Sequence, residues 1–300
     1  MRITDKVIQK RIINGLKQSA LKLSETHNRI ATTKNLSRPS DDPIGCAKIM
    51  SYYKELYKVN QTIKNCDNSL NLLSYSDAIL EKVGELIMDV RNKAASMASD
   101  TVDSDARKTV AREMDVIIDQ MMQLSNSKLA GRYIFSGHKI LSPAYTKDAS
   151  GNISYQGDQG NIKQRIELGD QTMITNIIGT NVFGQGTATD GIFKIFGDLK
   201  NALNSSNTAE INGSLSSLDN ELDILVMVRG EVGVKVNRVQ TSKDQMQTIE
   251  LSLRDNISQI EDVDMAAEAG EFMINQESYQ AALQATSTIL KLPKLTDYLS

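Results

Sequence analysis

The side chains able to do chemistry in this sequence are few, and their spacing decides what they are for. Ser40, Asp41 and Asp42 stand together between Pro39 and Pro43, and Glu261, Asp262 and Asp264 form a second acidic group. Adjacent carboxylates suit a divalent cation or acid–base work. Beside a proline and at the start of an apolar periodic run, they serve more simply as helix caps at the positive end of the dipole. His27 has no second His or Cys near it and reads as a packing or surface residue. Cys46 and Cys66 lie on one predicted helix, roughly 30 Å apart at ~1.5 Å rise per residue, beyond disulfide reach within a chain. Gly157-Asp158-Gln159-Gly160 lacks the lysine and following helix of a phosphate-binding loop and reads as hairpin chemistry. No Ser/His/Asp set or Cys/His ligand cluster is spaced for catalysis or metal binding. The expectation is a protein without cofactor or metal, and not an enzyme.

The elements that hold these residues are long helices. From Ile49 the apolar positions alternate in threes and fours: Tyr53, Leu56, Val59, Ile63, Cys66, Leu70, Leu73, Ser76, Leu80, Val83, Ile87, Val90, Ala94 and Met97. This is one narrow seam sustained over about seven heptads. No proline lies between Pro43 and Pro143 to break it. A helix of this length spans about 70–80 Å. After a turn at 99–104 the spacing resumes at Ala106, Val110, Glu113, Ile117, Met121, Leu124 and Lys128. Ile49, Leu56, Ile63, Leu70, Leu80 and Ile87 are the bundle-seam positions singled out.

Residues 1–31 form a first amphipathic helix with Ile12, Leu16, Ser19, Leu23, Thr26 and Ile30 on its seam. The connector Arg38-Pro39-Ser40-Asp41-Asp42-Pro43 follows. Nine of the 18 glycines fall between Gly151 and Gly197. There Ile153-Ser154-Tyr155, Arg165-Ile166-Glu167-Leu168 and Thr172-Met173-Ile174-Thr175 are short strand candidates, the first two separated by the turn-rich 156–161. Helix returns at 192–203 and runs long over 208–260 through Leu215, Leu218, Leu222, Leu225, Val228, Val232 and Val236. Gly230 and Gly233 weaken it by about 1 kcal/mol each and leave room for close backbone approach. Asp262 or Asp264 caps a last helix through Phe272, Gln276, Tyr279, Leu283, Thr286 and Leu290, and Pro293 ends it. The expected fold is mainly α: an elongated long-helix coiled-coil bundle with the terminal helices paired and a small β-rich domain inserted at the far end. The expected division is 1–36 with 262–300, 37–132 with 192–261, and 133–191.

Composition narrows the function classes. Aromatics make up 5% and Trp is absent, which suits a helical rod better than an enzyme pocket. Net charge is −3, which argues against a nucleic-acid binder. The ends differ: residues 1–38 carry nine Lys/Arg against two Asp/Glu, and residues 250–300 carry three against nine. Oppositely charged faces favour docking of the two terminal helices on each other. An organellar presequence is the other reading of the basic end. No apolar run is long enough for a membrane span, and the N-terminus lacks the apolar core of a cleaved secretory signal.

A series of motifs in order carries a family resemblance over nearly the whole chain. They begin with Met1-Arg2-Ile3-Thr4, and Ala31-Thr32-Thr33-Lys34-Asn35-Leu36 leading into Arg38-Pro39-Ser40-Asp41-Asp42-Pro43. Gly131-Arg132-Tyr133-Ile134-Phe135-Ser136-Gly137, Tyr155-Gln156-Gly157-Asp158 and Thr175-Asn176-Ile177-Ile178-Gly179-Thr180-Asn181-Val182-Phe183 come next. Val232-Gly233-Val234-Lys235-Val236-Asn237-Arg238-Val239 and the endings Tyr279-Gln280-Ala281-Ala282-Leu283 and Leu295-Thr296-Asp297-Tyr298-Leu299 complete it. The chain resembles the bacterial flagellin superfamily, and within it the hook–filament junction proteins. Thr33 stands where the family motif has glycine, and the two cysteines are unusual for it.

The resemblance implies an extracellular structural subunit exported unfolded through the flagellar type III channel without a cleaved signal. It implies a homo-oligomeric ring between an adjoining hook-associated protein and the next junction protein or flagellin, with an export chaperone on the C-terminal helix, no nucleic acid and no membrane insertion. Ile12, Leu16, Leu23, Ile30, Phe272, Tyr279, Leu283 and Leu290 are the expected assembly residues. A filament-forming flagellin and an intracellular coiled-coil scaffold are the alternatives.

Overall fold

The computed structural model describes residues 5–36, 38–149, 151–167, 172–187 and 190–291. Helix α1 spans Asp5–Thr32. Ile12, Leu16, Ser19, Leu23 and Ile30 are half-buried on one face and Thr26 is fully buried there. The Thr26 hydroxyl donates to the Lys22 and Leu23 carbonyls, both at 3.1 Å, so its burial strands no polar group. The helix stops at Thr33, held at φ 58°, a left-handed conformation that a β-branched residue adopts only under strain.

Helix α2 spans Pro43–Met97. Pro43 occupies its first position, where the missing N–H is not needed. The Asp42 carboxylate accepts the Ile44 N–H at 3.0 Å, and the Asp42 carbonyl accepts the Cys46 N–H at 3.0 Å. Gly45 makes this cap feasible: a Cβ there would lie 2.4 Å from Asp42 Oδ2 and 3.0 Å from Leu36 Cδ1. Farther along, Ile49, Leu56, Leu80 and Ile87 are buried, whereas Ile63 and Leu70 are half-buried and Tyr53 is exposed. Thr62 and Ser69 sit on the centre line instead, their hydroxyls donating to the Lys58 and Asn65 carbonyls at 3.0 and 2.7 Å. A helix of 3.6 residues per turn drifts about 20° per heptad against a strict seven-residue repeat, so the buried line slips by one position.

Helix α3 spans Ser104–Ser125 and buries Arg107, Ala111, Met114, Ile117, Ile118, Met121 and Ser125. The expected face through Ala106, Val110 and Glu113 is therefore one residue early. Glu113 is exposed and pairs with Lys93 at 2.9 Å. Arg107 sets the register: its guanidinium donates to the carbonyls of Met97 at 3.0 Å, Ser99 at 2.8 Å and Ser206 at 3.3 Å. A cation held by three carbonyls outweighs an apolar tally.

The middle of the chain forms three two-stranded antiparallel pairs. β1 (Lys128–Leu129) and β2 (Arg132–Tyr133) are joined by Ala130 at φ 50° and Gly131 at φ 80°, the handedness that suits a two-residue hairpin. β3 (Tyr145–Lys147) pairs with β4 (Ile153–Tyr155), and β5 (Lys163–Arg165) with β6 (Thr172–Ile174). The strand expected at 165–168 thus lies earlier, and Leu168 falls outside the described residues. Residues 156–161 link two hairpins and do not turn one. Asp158 organises that link, accepting the His138 N–H at 2.7 Å and the Gly160 N–H at 2.9 Å, bonds that hold its carboxyl below the usual range.

A one-turn helix α4 (Thr180–Phe183) and helix α5 (Ile192–Ser205) follow. Four of the five phenylalanines gather around Tyr145 or on α5 and are fully buried. Phe183 meets Phe135 edge-on at 5.3 Å and Tyr145 at 5.7 Å, and Tyr145 meets Phe193 at 5.1 Å. The Tyr145 hydroxyl donates to the Gly184 carbonyl at 2.6 Å. Helix α6 spans Thr208–Glu261 and is capped by Asn207, whose side-chain oxygen accepts the Ala209 N–H at 3.1 Å. Its buried line runs through Ile211, Leu218, Glu221, Leu225, Val232 and Val239, and Leu215, Leu222, Val228 and Val236 are half-buried. Nothing lies within 4 Å of a Cβ built on Gly230 or Gly233, so the anticipated close approach there does not occur. Asp264, not Asp262, caps helix α7 (Met265–Lys291), accepting the Ala266 and Ala267 N–H groups at 2.9 and 3.2 Å.

Contacts divide the chain into two compact units, one of residues up to Tyr57 with those from Glu250 on, the other Lys58–Ile249. In the second, one continuous apolar core extends in sequence from Cys66 to Val239. In the first, α1 packs along α7.

Candidate assembly surfaces

Helices α1 and α7 face each other through mixed seams. His27 lies 6.1 Å from Phe272 between ring centroids, and the Arg29 guanidinium is 3.6 Å from the Glu268 carboxylate. Glu268, Phe272, Asn275, Tyr279, Ala282 and Thr286 form the buried or half-buried line of α7. The expected line through Gln276 and Leu283 is displaced: both are exposed, Leu283 at 42%. Leu290 belongs to α7, but its side chain lies outside the described residues, as does the 295–299 tail. Glu268 Oε1 and Asn275 Nδ2 are buried without a hydrogen-bond partner. A buried atom without any partner, as Asn275 Nδ2 is, costs about 1–3 kcal/mol, whereas Glu268 Oε1 keeps the Arg29 guanidinium at 3.6 Å. On the outer faces Ile13 is 56% exposed, Leu21 55%, Met273 66% and Ile274 64%. The pair thus presents apolar side chains to solvent while burying polar ones, the reverse of what a solitary helix pair favours.

The pair is fastened where α1 ends. Lys34 and Asp262 form an isolated antiparallel bridge, with Asn35 N–H donating to the Glu261 carbonyl at 2.7 Å and Val263 N–H to the Thr33 carbonyl at 3.1 Å. The Glu261 carboxylate receives the Lys34 ammonium and the Tyr53 hydroxyl, the latter at 2.7 Å. Burial pushes the Glu261 carboxyl up, but these two partners outweigh it and hold the group below its ordinary value. The hydrogen bond to Glu261 raises both Lys34 and Tyr53. An acidic residue near a helix end and a lysine 227 positions earlier give no local signal of this contact.

In the connector, the Asp41 carboxylate accepts the Arg38 N–H at 3.1 Å and the Ser40 hydroxyl at 3.3 Å, while Asp42 caps α2. Both carboxylates are thus occupied by local donors. Both cysteines are free thiols, and burial raises Cys66. Among the described residues no three His, Cys, Asp or Glu side chains converge as metal ligands, and no helix is long and apolar enough to cross a membrane.

First and last helices paired with each other, long helices following and preceding them, and a strand-bearing segment between define a flagellin-like fold. The family model for the bacterial flagellin N-terminal helical region matches residues 3–140, and that for the C-terminal helical region matches residues 215–299. The chain belongs to the flagellin family. It is 23% identical to flagellar hook-associated protein 3 of Salmonella typhimurium, over 94% of this chain and 95% of that protein. It is 20% identical to the flagellar filament 41 kDa core protein of Borreliella burgdorferi, over 94% of each. Among solved structures, the flagellar junction protein FlgL from Legionella pneumophila superposes with a TM-score of 0.59 at 15% identity, covering 71% of this chain and all of that one.

Proposed function

We propose that this chain is a structural subunit of the bacterial flagellum, placed at the junction of hook and filament and assembled through its terminal helices. The observation that carries the reading is the α1–α7 pair, whose outer faces expose Ile13, Leu21, Met273, Ile274 and Leu283 while the Asn275 amide nitrogen lies buried without a hydrogen-bond partner. Neighbouring copies that cover the apolar faces stabilise the pair; burying one leucine is worth about 1.5–3 kcal/mol. End-to-end similarity to a hook-associated protein, with filament proteins more distant, favours the junction over the shaft.

In this reading a ring of copies sits between an adjoining hook-associated protein and the next junction protein or flagellin. Residues 1–36 and 262–300 do the joining, and 37–132 and 192–261 stiffen the subunit. The chain leaves the cell unfolded through the flagellar export channel, with a chaperone covering the apolar face of α7 beforehand. Its work is mechanical, not catalytic.

Immunogold labelling of intact flagella, viewed by electron microscopy, tests the placement. A single gold cluster where hook meets filament is the expected result. Label along the whole filament makes the chain a flagellin, and its absence from flagella returns it to an intracellular scaffold.

A further inference from the structure

Segments far apart in the sequence line one cavity of about 350 Å³. Its walls come from α2, the β1–β2 hairpin, β5 and the pair Thr175-Asn176. Assembly through the terminal helices makes no use of it. Hydrogen bonds fix those walls in place. The Tyr133 N–H donates to the Ile140 carbonyl at 2.8 Å, and the Ile134 N–H to the Ser127 carbonyl at 3.2 Å. The Asn176 side chain is buried, accepting the Ile162 N–H at 2.8 Å and donating to the Gly160 carbonyl at 2.9 Å. The Ser69 hydroxyl is committed to the Asn65 carbonyl at 2.7 Å. A site held this way does not have to be ordered by its ligand.

Three polar side chains of the lining are uncommitted. Those of Asn68, Arg132 and Gln164 make no hydrogen bond or ion pair among the described residues. Among the described residues no Asp or Glu lines the cavity, so Arg132 brings a positive charge that nothing on the wall balances. Neighbouring cations do not add to it. Lys128 sits over the Tyr133 ring, 4.4 Å from its centre, and is not part of the lining. Lys163 precedes Gln164 on β5, and successive strand residues point to opposite faces. The rest of the wall is largely aliphatic, with Leu72, Leu129, Ile140 and Ile162. An apolar hollow of this size with a few polar groups is the usual form of a small-molecule site.

We propose that this cavity binds a small aliphatic carboxylate. The guanidinium fork of Arg132 matches the two oxygens of a carboxylate, and the Asn68 and Gln164 amides offer further donors. The hydrocarbon body lies against Leu72, Leu129, Ile140 and Ile162. One cation balances a monoanion; a dianionic phosphate ester leaves a charge uncompensated beside aliphatic side chains.

The test uses the full chain with octanoate as the probe at neutral pH. Methyl NMR follows Leu72, Leu129, Ile134, Ile140 and Ile162, and calorimetry gives the affinity. Octylammonium and octanamide carry the same chain with a positive or no charge. The expected result is saturable shifts at the cavity methyls, with a dissociation constant below about 1 mM. Both control probes should bind at least about tenfold more weakly to wild type, and octanoate should lose about tenfold or more in Arg132→Gln. Arg132 is exposed on a hairpin, so that variant keeps the fold. No saturation at the cavity methyls overturns the proposal, as do shifts confined to the outer faces of α1 and α7. Equal binding of octylammonium in wild type overturns it whatever the variant does, and so does unchanged octanoate affinity in Arg132→Gln.

Discussion

The Arg107 guanidinium donates to the Met97 carbonyl at 3.0 Å and so closes the end of α2 onto the start of α3. Its other N–H groups reach Ser206 and Ser99, whose carbonyl also accepts the Val102 N–H at 3.1 Å. Arg107→Met is expected to cost about 2–4 kcal/mol, because the carbonyls of half-buried Met97 and Ser206 lose their charged donor. Urea unfolding of the 58–249 unit within the full chain measures it. Arg107→Lys recovers little, since one ammonium does not span the fork. A loss below about 1 kcal/mol means that water reaches these carbonyls.

Seam position decides the effect of truncation in α2. Leu80 is fully buried and Leu80→Ala is expected to cost about 2–5 kcal/mol. Ile63 is half-buried, and Ile63→Ala should cost about half as much or less. Paired unfolding curves check the order, and a larger loss at Ile63 contradicts the drift of the seam.

Tyr145→Phe removes one hydroxyl and leaves the Gly184 carbonyl without its donor. The expected loss is about 1–2 kcal/mol, with the aromatic packing intact. Denaturant unfolding together with near-ultraviolet circular dichroism distinguishes this from a collapsed cluster.

Acid should loosen the bridge at the end of α1. The folded Glu261 carboxyl sits below its ordinary 4.5, so its stabilisation is present above that value and is lost as pH falls through the lower folded value. Hydrogen exchange at Asn35 and Val263, followed from pH 6 to 3, should rise in wild type. Glu261→Gln should show the raised exchange already at pH 6, and no difference at pH 6 would remove the carboxylate from the account.

Leu16 and Leu283 separate pairing from assembly. Leu16 is half-buried toward α7, so Leu16→Asp should loosen the pair itself. Leu283 is exposed, so Leu283→Asp should leave the pair helical and block only addition to neighbours. Circular dichroism and electron microscopy of flagella from cells carrying each variant test the two halves. Normal junctions with Leu283→Asp remove that face from the interface.

The long helices were legible because a 3-4 repeat over many turns survives local errors, and Pro43 with Asp42 marks a start by ordinary capping chemistry. What an apolar tally misjudged were the faces. In α7 the buried line is Glu268, Asn275, Ala282 and Thr286 as much as Phe272 and Tyr279, while Met273, Ile274 and Leu283 point outward. Counting apolar residues therefore selects the outer side. Arg107 and Glu221 escaped notice for the same reason, since nothing local marks a buried charge. The pairing of Tyr145–Lys147 with Ile153–Tyr155 depends on the aromatic cluster that forms only once Phe183 and Phe193 are in place.

The joining of α1 to α7 also has a consequence in time. Helix α1 leaves the ribosome long before α7, the helix that packs along it. Contacts of such sequence separation form late, after the closure of everything between them. Until then α1 is a bare basic helix of 28 residues, marginal alone in water. Any factor that handles the growing chain before its release meets the two halves of this pair separately.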